Sequence, residues 1–167
     1  ALSPKPTIAM INGFCIGGGV AVALSADIRI AADNGRFAVP AARLGLGYGA
    51  GGLKRLIDVV GPAFAKEIFF TARQFDAAEA LAMGLVNRVV PAAELESYVL
   101  DYARRIAENA PLTIRAAKMT IDELLKDAER RDLDACEAAI SQCFASADYA
   151  EGRTAFMEKR RPRFRGV

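Results

Sequence analysis

Gly17, Gly18 and Gly19 fall between two opposite patterns. Before them lies a short apolar run, Thr7 to Ile11, bounded by Pro6 and by Asn12-Gly13; after them comes Val20-Ala21-Val22-Ala23-Leu24-Ser25-Ala26, small, apolar and helix-compatible. The first pattern predicts a buried strand that ends in a turn, the second a helix over about 18–25. A chain that leaves a strand through glycines and enters a helix presents backbone N–H groups with no partner inside the helix. The aligned peptide dipoles add partial positive charge at the same place. Such a place binds an anion, or an oxygen that becomes one during reaction. Gly18 is the candidate donor, and the bland alternative is a glycine that serves only the turn.

Other chemistry is excluded by composition. The 167 residues contain no histidine. Ser-His and Cys-His nucleophile systems and the usual zinc ligand sets are therefore absent from this chain. Cys15, Cys136 and Cys143 lack metal spacing and read as the reduced, buried thiols of a cytoplasmic protein. The net charge of +2 argues for no nucleic-acid partner. Basic residues do gather in Lys159-Arg160-Arg161-Pro162-Arg163-Phe164-Arg165, either as a solvated tail or as a phosphate contact. No apolar run is long enough to span a membrane, and no signal peptide is visible.

The elements that would position Gly18 follow from periodicity and punctuation. Asp27 to Ala32 alternates as a strand, Asp33-Asn34-Gly35 is a turn, and Arg36 to Val39 is a short strand stopped by Pro40. Pro40 can also open a one-turn helix to Leu44. A glycine-rich loop over 45–52 leads to helices at about 53–58 and 62–70. Asp76 caps a helix that ends at Gly84, and Leu85 to Val90 reads as a strand. From Glu94 the spacing is helical, with further helices from Pro111 to Leu125 and over about 129–146 and 149–160. The composition shift near Asn109-Ala110-Pro111 divides the chain into an α/β core over 1–108 and a helical region over 109–167. A lone buried strand so near Ala1 needs neighbours, which predicts more sequence before it.

Gly47-Tyr48-Gly49-Ala50-Gly51-Gly52 matches the dinucleotide pattern G-x-G-x-x-G, with Glu67 further on. That fingerprint requires a strand directly before the loop and a second strand carrying the acid. Here Pro40-Ala41-Ala42-Arg43-Leu44 precedes the loop and Glu67 falls inside a helix, so nicotinamide and flavin binding are rejected. The glycines fit close backbone packing or a pocket lining instead.

Several of these segments, in order, resemble the enoyl-CoA hydratase/isomerase (crotonase) superfamily. They are Lys5-Pro6 through Gly13, Gly17-Gly18-Gly19, Ala26-Asp27-Ile28-Arg29-Ile30-Ala31, Phe37 with Pro40, Leu44-Gly45, and Gly51-Gly52 with Arg55-Leu56. Thr71-Ala72, the run from Ala80 to Val90, Ala110-Pro111-Leu112 and Glu151-Gly152 through Arg160 complete the set. The resemblance spans essentially the whole chain. It implies a spiral of β-β-α units, partial at its N-terminal side, with a C-terminal helical region used for trimer packing. It implies an acyl-CoA substrate, no separate cofactor or metal, and a homotrimer or dimer of trimers. It places an oxyanion-hole N–H at Gly18, beside Gly17, and a coenzyme A contact at Phe156 and Lys159. Their alternatives are a core phenylalanine and a surface lysine. A second oxyanion donor is implied upstream of Lys5, so the chain by itself is expected to be inactive.

The resemblance also marks a departure. Hydratases of the family carry two glutamates, at positions matching Ala21 and Ala41. Methyl groups move no protons, and each proton-transfer group is typically worth about 10²–10⁴-fold in rate. Efficient hydration is therefore disfavoured. Tyr48 stands in a loop that is similar to that of methylmalonyl-CoA decarboxylases, where its hydroxyl would hold a carboxylate or protonate an enolate; the alternative is a packing tyrosine. Arg43 is a further candidate facing the pocket, while Asp27 and Glu67 read first as structural. A non-catalytic acyl-CoA-binding or scaffold protein is the remaining reading.

Overall fold

A computed structural model describes residues 3–167. Two compact units divide them: residues 7–101 make the first, and residues 102–167 together with 3–6 the second.

In the first unit the chain runs β1 (Ile8–Ile11), β2 (Phe14–Ile16), α1 (Gly18–Ala23), β3 (Ile28–Ala32) and β4 (Arg36–Ala38). A one-turn 3-10 helix (Pro40–Leu44), α2 (Ala50–Thr71), β5 (Phe75–Asp76), α3 (Ala77–Ala82) and β6 (Arg88–Val90) follow. Two three-stranded sheets result, β1-β3-β6 and β2-β4-β5. β1, β3 and β6 are parallel neighbours, β2 and β4 are parallel, and β5 runs antiparallel to β4. Each early pass lays one strand in each sheet and then a helix, β1-β2-α1 and β3-β4-α2. This is the β-β-α spiral expected from the resemblance.

Three details differ from the sequence reading. The strand that delivers α1 is β2, not β1: Phe14-Cys15-Ile16 is too short to show a period, but pairs in register with Arg36, Phe37 and Ala38. β1 is a half-buried edge strand rather than a buried one. The buried strand is β3, where Ile30, Ala31 and Ala32 are fully enclosed. Its one charged residue, Arg29, is also buried. Arg29 Nε donates to the Leu85 carbonyl and Nη1 to the Ala26 carbonyl, both at 2.8 Å. Burial pushes the guanidinium pKa down, and the Asp27 charge opposes this. The buried cation is thus saturated by carbonyls, which lowers its cost. Leu85 to Val90 pairs only over its last residues, because Asn87 Oδ1 instead accepts from the Arg29 N–H at 2.8 Å.

The core of this unit gathers Phe37, Phe75, Ile30, Leu56, Ile68 and Val86. α2 is two helices in one run, broken at Gly61 (φ 74°, ψ 167°) before Pro62, as the spacing predicted. It begins at Ala50, earlier than expected. Asp76 and Glu79 form a reciprocal capping box on α3, and Gly84 ends that helix with φ 77°.

The second unit holds the later part of α4 (Leu95–Ala107), then α5 (Pro111–Leu124), α6 (Leu133–Ala145) and α7 (Ala147–Met157). α6 starts later than periodicity predicted, because Asp132 Oδ1 accepts from the Ala135 N–H and caps it there. The C-terminal strand of chain is held by two carboxylates. Asp148, almost fully buried, accepts from the Arg165 and Gly166 N–H groups at 2.7 and 2.8 Å. Glu151 accepts from Arg160 Nη1 and Nη2 at 2.7 and 2.8 Å and from the Arg163 N–H at 2.8 Å. The basic run is therefore a docked strap, not a free tail.

Those bonds, the Arg160 pairing first and the Arg163 N–H second, hold the Glu151 carboxyl down to about 2. A depressed carboxyl stabilises the folded form above its unfolded pKa of 4.5 and loses that contribution as pH falls toward about 2. Faster amide exchange at Arg160 and Arg163 is expected over that window. Glu151→Gln is expected to abolish the step in exchange rate.

Candidate functional site

The site is built where β2 becomes α1. Gly17 is the N-cap of α1, with φ 54° and ψ −109°. L side chains seldom adopt this backbone, and glycine does so without steric cost. The Gly17 N–H donates to the Ala38 carbonyl at 2.8 Å, which ties the end of β2 to the end of β4. The Gly17 carbonyl accepts from the Val20 and Ala21 N–H groups at 3.1 and 3.3 Å. The next two donors, on Gly18 and Gly19, have no acceptor among the described residues. A Cβ built on Gly18 meets nothing within 4 Å, and its φ is not left-handed. The turn's demand for glycine therefore falls on Gly17, while Gly18 opens onto unfilled space.

One face of α1 borders a cavity of about 320 Å³. Val20, Ala21 and Leu24 come from that helix, Val39 from the end of β4, and Leu56 and Phe69 from α2. Tyr48 closes the cavity from the glycine loop. Its ring meets Phe69 edge-on, with centroids 4.9 Å apart and planes at 73°. The ring also rests on Gly52, where a Cβ would lie 2.7 Å from the Tyr48 ring. That contact explains why the glycines at 51 and 52 lie inside a helix, although glycine lowers helix propensity. Tyr48 thus packs and lines the cavity at once, and its hydroxyl has no hydrogen-bond partner among the described residues.

Arg55 also lines the cavity, and sequence reading passed over it. It lies one helical turn beyond Gly51, on the same face of α2. The predicted helix began at residue 53, so that face was not visible. Among the described residues lining the cavity, Arg55 is the only charged one, and none of the described residues forms an ion pair or hydrogen bond with it.

The other sequence candidates sit elsewhere. Arg43 is exposed and does not line the cavity. Its 3-10 helix buries Ala41, and at three residues per turn position 43 points away from that buried side. Ala41 is packed in the core cluster, while Ala21 is exposed on the cavity wall. Asp27 is structural: its Oδ2 accepts from the Thr7 N–H and Oγ1 at 2.6 and 2.9 Å. Glu67 pairs with Arg73 at 3.1 Å. Burial pushes the Cys15 thiol pKa up, which disfavours the nucleophilic thiolate. Among the described residues, no His/Cys/Asp/Glu group could hold a metal ion, and no helix is long and apolar enough to cross a membrane.

Phe156 and Lys159 belong to the second unit, at the end of α7. Phe156 is 82% exposed in this chain, so it is not a core residue. It borders an apolar cavity of about 770 Å³ formed with residues of α5 and α6, among them Ile121 and Phe144. Lys159 is exposed, and its left-handed backbone (φ 54°) ends the helix.

The family model described as "Enoyl-CoA hydratase/isomerase" matches residues 1–167. This chain belongs to the enoyl-CoA hydratase/isomerase family. It is 42% identical over 164 residues to a short-chain-enoyl-CoA hydratase of Clostridium acetobutylicum, covering 96% of this chain and 61% of that protein. It is 40% identical over 166 residues to the carnitinyl-CoA dehydratase of Escherichia coli, covering 97% and 64%. The crystal structure of an enoyl-CoA hydratase from Bacillus anthracis superposes with a TM-score of 0.89 at 36% identity, covering 98% of this chain and 64% of that one. The fold is therefore crotonase-like. The chain spans about three-fifths of the length of these relatives.

The two glycines can be separated by stability alone. Gly17→Ala is expected to cost about 1–3 kcal/mol, because alanine is strained in that backbone. Gly18→Ala is expected to leave stability within about 0.5 kcal/mol or to raise it slightly, since the new methyl meets open space on a helical residue. Urea unfolding of both variants checks this.

Proposed function

We propose that the protein binds an acyl-CoA thioester and stabilises its enolate, with the thioester oxygen accepting from the Gly18 N–H. The observation that carries this reading is the unpartnered donor on a glycine that its own turn does not require, facing open space beside a small apolar cavity. A preorganised donor aimed at developing negative charge is worth about 10²–10³-fold in rate. Gly17 fixes the direction of that donor. Phe156 and Lys159 are proposed coenzyme A contacts, an exposed ring for the adenine face and a point charge for a phosphate. Assembly as a trimer or dimer of trimers through the helical unit belongs to the same proposal. Apolar side chains left open there, such as Phe144, Phe156 and Met157, support it.

The reaction is proposed not to be efficient hydration. Ala21 lies on the cavity wall and Ala41 in the core, and neither carries a proton. Decarboxylation of a malonyl-type acyl-CoA is the second reading, because the Tyr48 hydroxyl lines the same cavity as Ala21 and is free to bond. Losing carbon dioxide leaves an enolate directly and needs no water-activating pair.

The natural full-length protein, with whatever sequence flanks this chain, is the material for the test. Incubation with crotonyl-CoA and with methylmalonyl-CoA is read by product mass. No added water on the first and lost carbon dioxide on the second is the outcome expected of the decarboxylation reading. Efficient addition of water would overturn the assignment of Ala21 and Ala41. Binding without either product favours a non-catalytic acyl-CoA-binding role. Gly18→Pro removes the donor at a first-turn position where proline is tolerated. It is expected to lower any turnover by at least about a hundredfold while the protein stays folded.

A further inference from the structure

The cavity behind α1 has an electrostatic character that the enolate reading does not use. Its walls are hydrocarbon, and at about 320 Å³ it lies at the small end for a ligand pocket. Two polar side chains line it, Tyr48 and Arg55, and no carboxylate does. The Arg55 guanidinium has no ion pair or hydrogen bond among the described residues. Its nearest cavity neighbours on α2 are Gly51 and Gly52, which have no side chain to compete for it. Other exposed arginines of this unit and of the strap are paired: Arg73 with Glu67 and Glu79, Arg160 with Glu151 and Glu158.

We infer that this cavity takes an acyl group that ends in a carboxylate, held by Arg55 with help from the Tyr48 hydroxyl. The ligand class is the coenzyme A monothioester of a short dicarboxylic acid. The inference rests on the acyl-CoA reading above and names the substrate class of that site.

The chemistry follows from the groups present. Arginine offers a planar fork of N–H donors that matches a carboxylate. The phenol adds one further donor. Apolar walls on the remaining sides reduce screening, so the pairing is stronger than between groups free in water. An uncharged acyl group of the same shape fits the walls equally well but leaves the cation without its anion. Arg55 also stabilises a carboxylate in its charged form, which opposes its departure as neutral carbon dioxide. The carboxylate held at Arg55 is therefore one that the reaction keeps, at the far end of the acyl group from the thioester.

The test uses the natural full-length protein and isothermal titration calorimetry with two ligands of matched shape. Succinyl-CoA ends in a carboxylate, and isocaproyl-CoA ends in two methyl groups. Succinyl-CoA is expected to bind about tenfold or more tightly, the scale of a charge-assisted hydrogen bond. Arg55→Gln is expected to erase that preference and leave isocaproyl-CoA affinity unchanged, while Arg55→Lys retains part of it. Equal binding of the two ligands by the unsubstituted protein overturns the inference and leaves the acyl-CoA reading intact. Equal weakening of both by Arg55→Gln also overturns it, because Arg55 would then be holding the shared coenzyme A phosphates. Failure of both ligands to bind overturns the acyl-CoA reading, and this inference with it.

Discussion

The turn at Gly17 is the constraint on which the rest of the first unit depends. One residue ends β2, caps α1 and bonds to the last carbonyl of β4, and it can do all three only in a left-handed backbone. That geometry sets where the first free N–H groups of α1 point. It also sets which face of α1 meets Val39, which follows the Ala38 acceptor directly, and so where the cavity opens. The chain then reaches Pro40, whose 3-10 helix turns Ala41 into the core and sends the glycine loop toward Tyr48. A side chain at Gly17 would disturb the helix start, the sheet end and the cavity together.

Polar groups elsewhere show how the fold keeps buried charge affordable. Arg29 is enclosed in the central strand of its sheet, and its guanidinium is answered by main-chain carbonyls rather than by a carboxylate bond. Asp148 is enclosed in the helical unit, and it is answered by main-chain N–H groups of the strap. In both cases a side chain satisfies backbone groups of a segment that is irregular at that point. The bonds therefore fix irregular backbone, which regular secondary structure does not do. The cavity follows the opposite rule. Its walls are hydrocarbon, its one charge is unanswered among the described residues, and the two positions where hydratases of the family would carry acids are methyl groups.

Family membership and chemistry thus separate in this protein. The family model, the relatives and the superposed structure agree on the fold and on the family. What the site can do is decided by a few side chains, and a fold hosts many reactions through such differences. Ala21 and Ala41 remove proton transfer, Gly18 offers an electrophilic N–H, and Arg55 with Tyr48 offers recognition. These parts favour a reaction driven by enolate stabilisation and substrate placement over one driven by general acid–base groups.

Much of this was legible in the chain alone, where the signal is local. The absence of histidine, the capping residue Asp76, the break at Gly61-Pro62 and the two alanines are read directly from residue types. So is the rejection of the dinucleotide motif, since Pro40 announces a 3-10 helix where a strand was required. Elements fixed by distant partners were not legible. β2 is three residues long and exists because β4 pairs with it; β3 is buried throughout because β1 and β6 flank it; α2 starts at Ala50 because the Tyr48 ring needs Gly52 beneath it. Arg43 and Arg55 were equally plausible cations in the sequence. Only the tertiary structure turned one outward and set the other on the cavity wall, because helix phase around a core depends on contacts that no local spacing encodes.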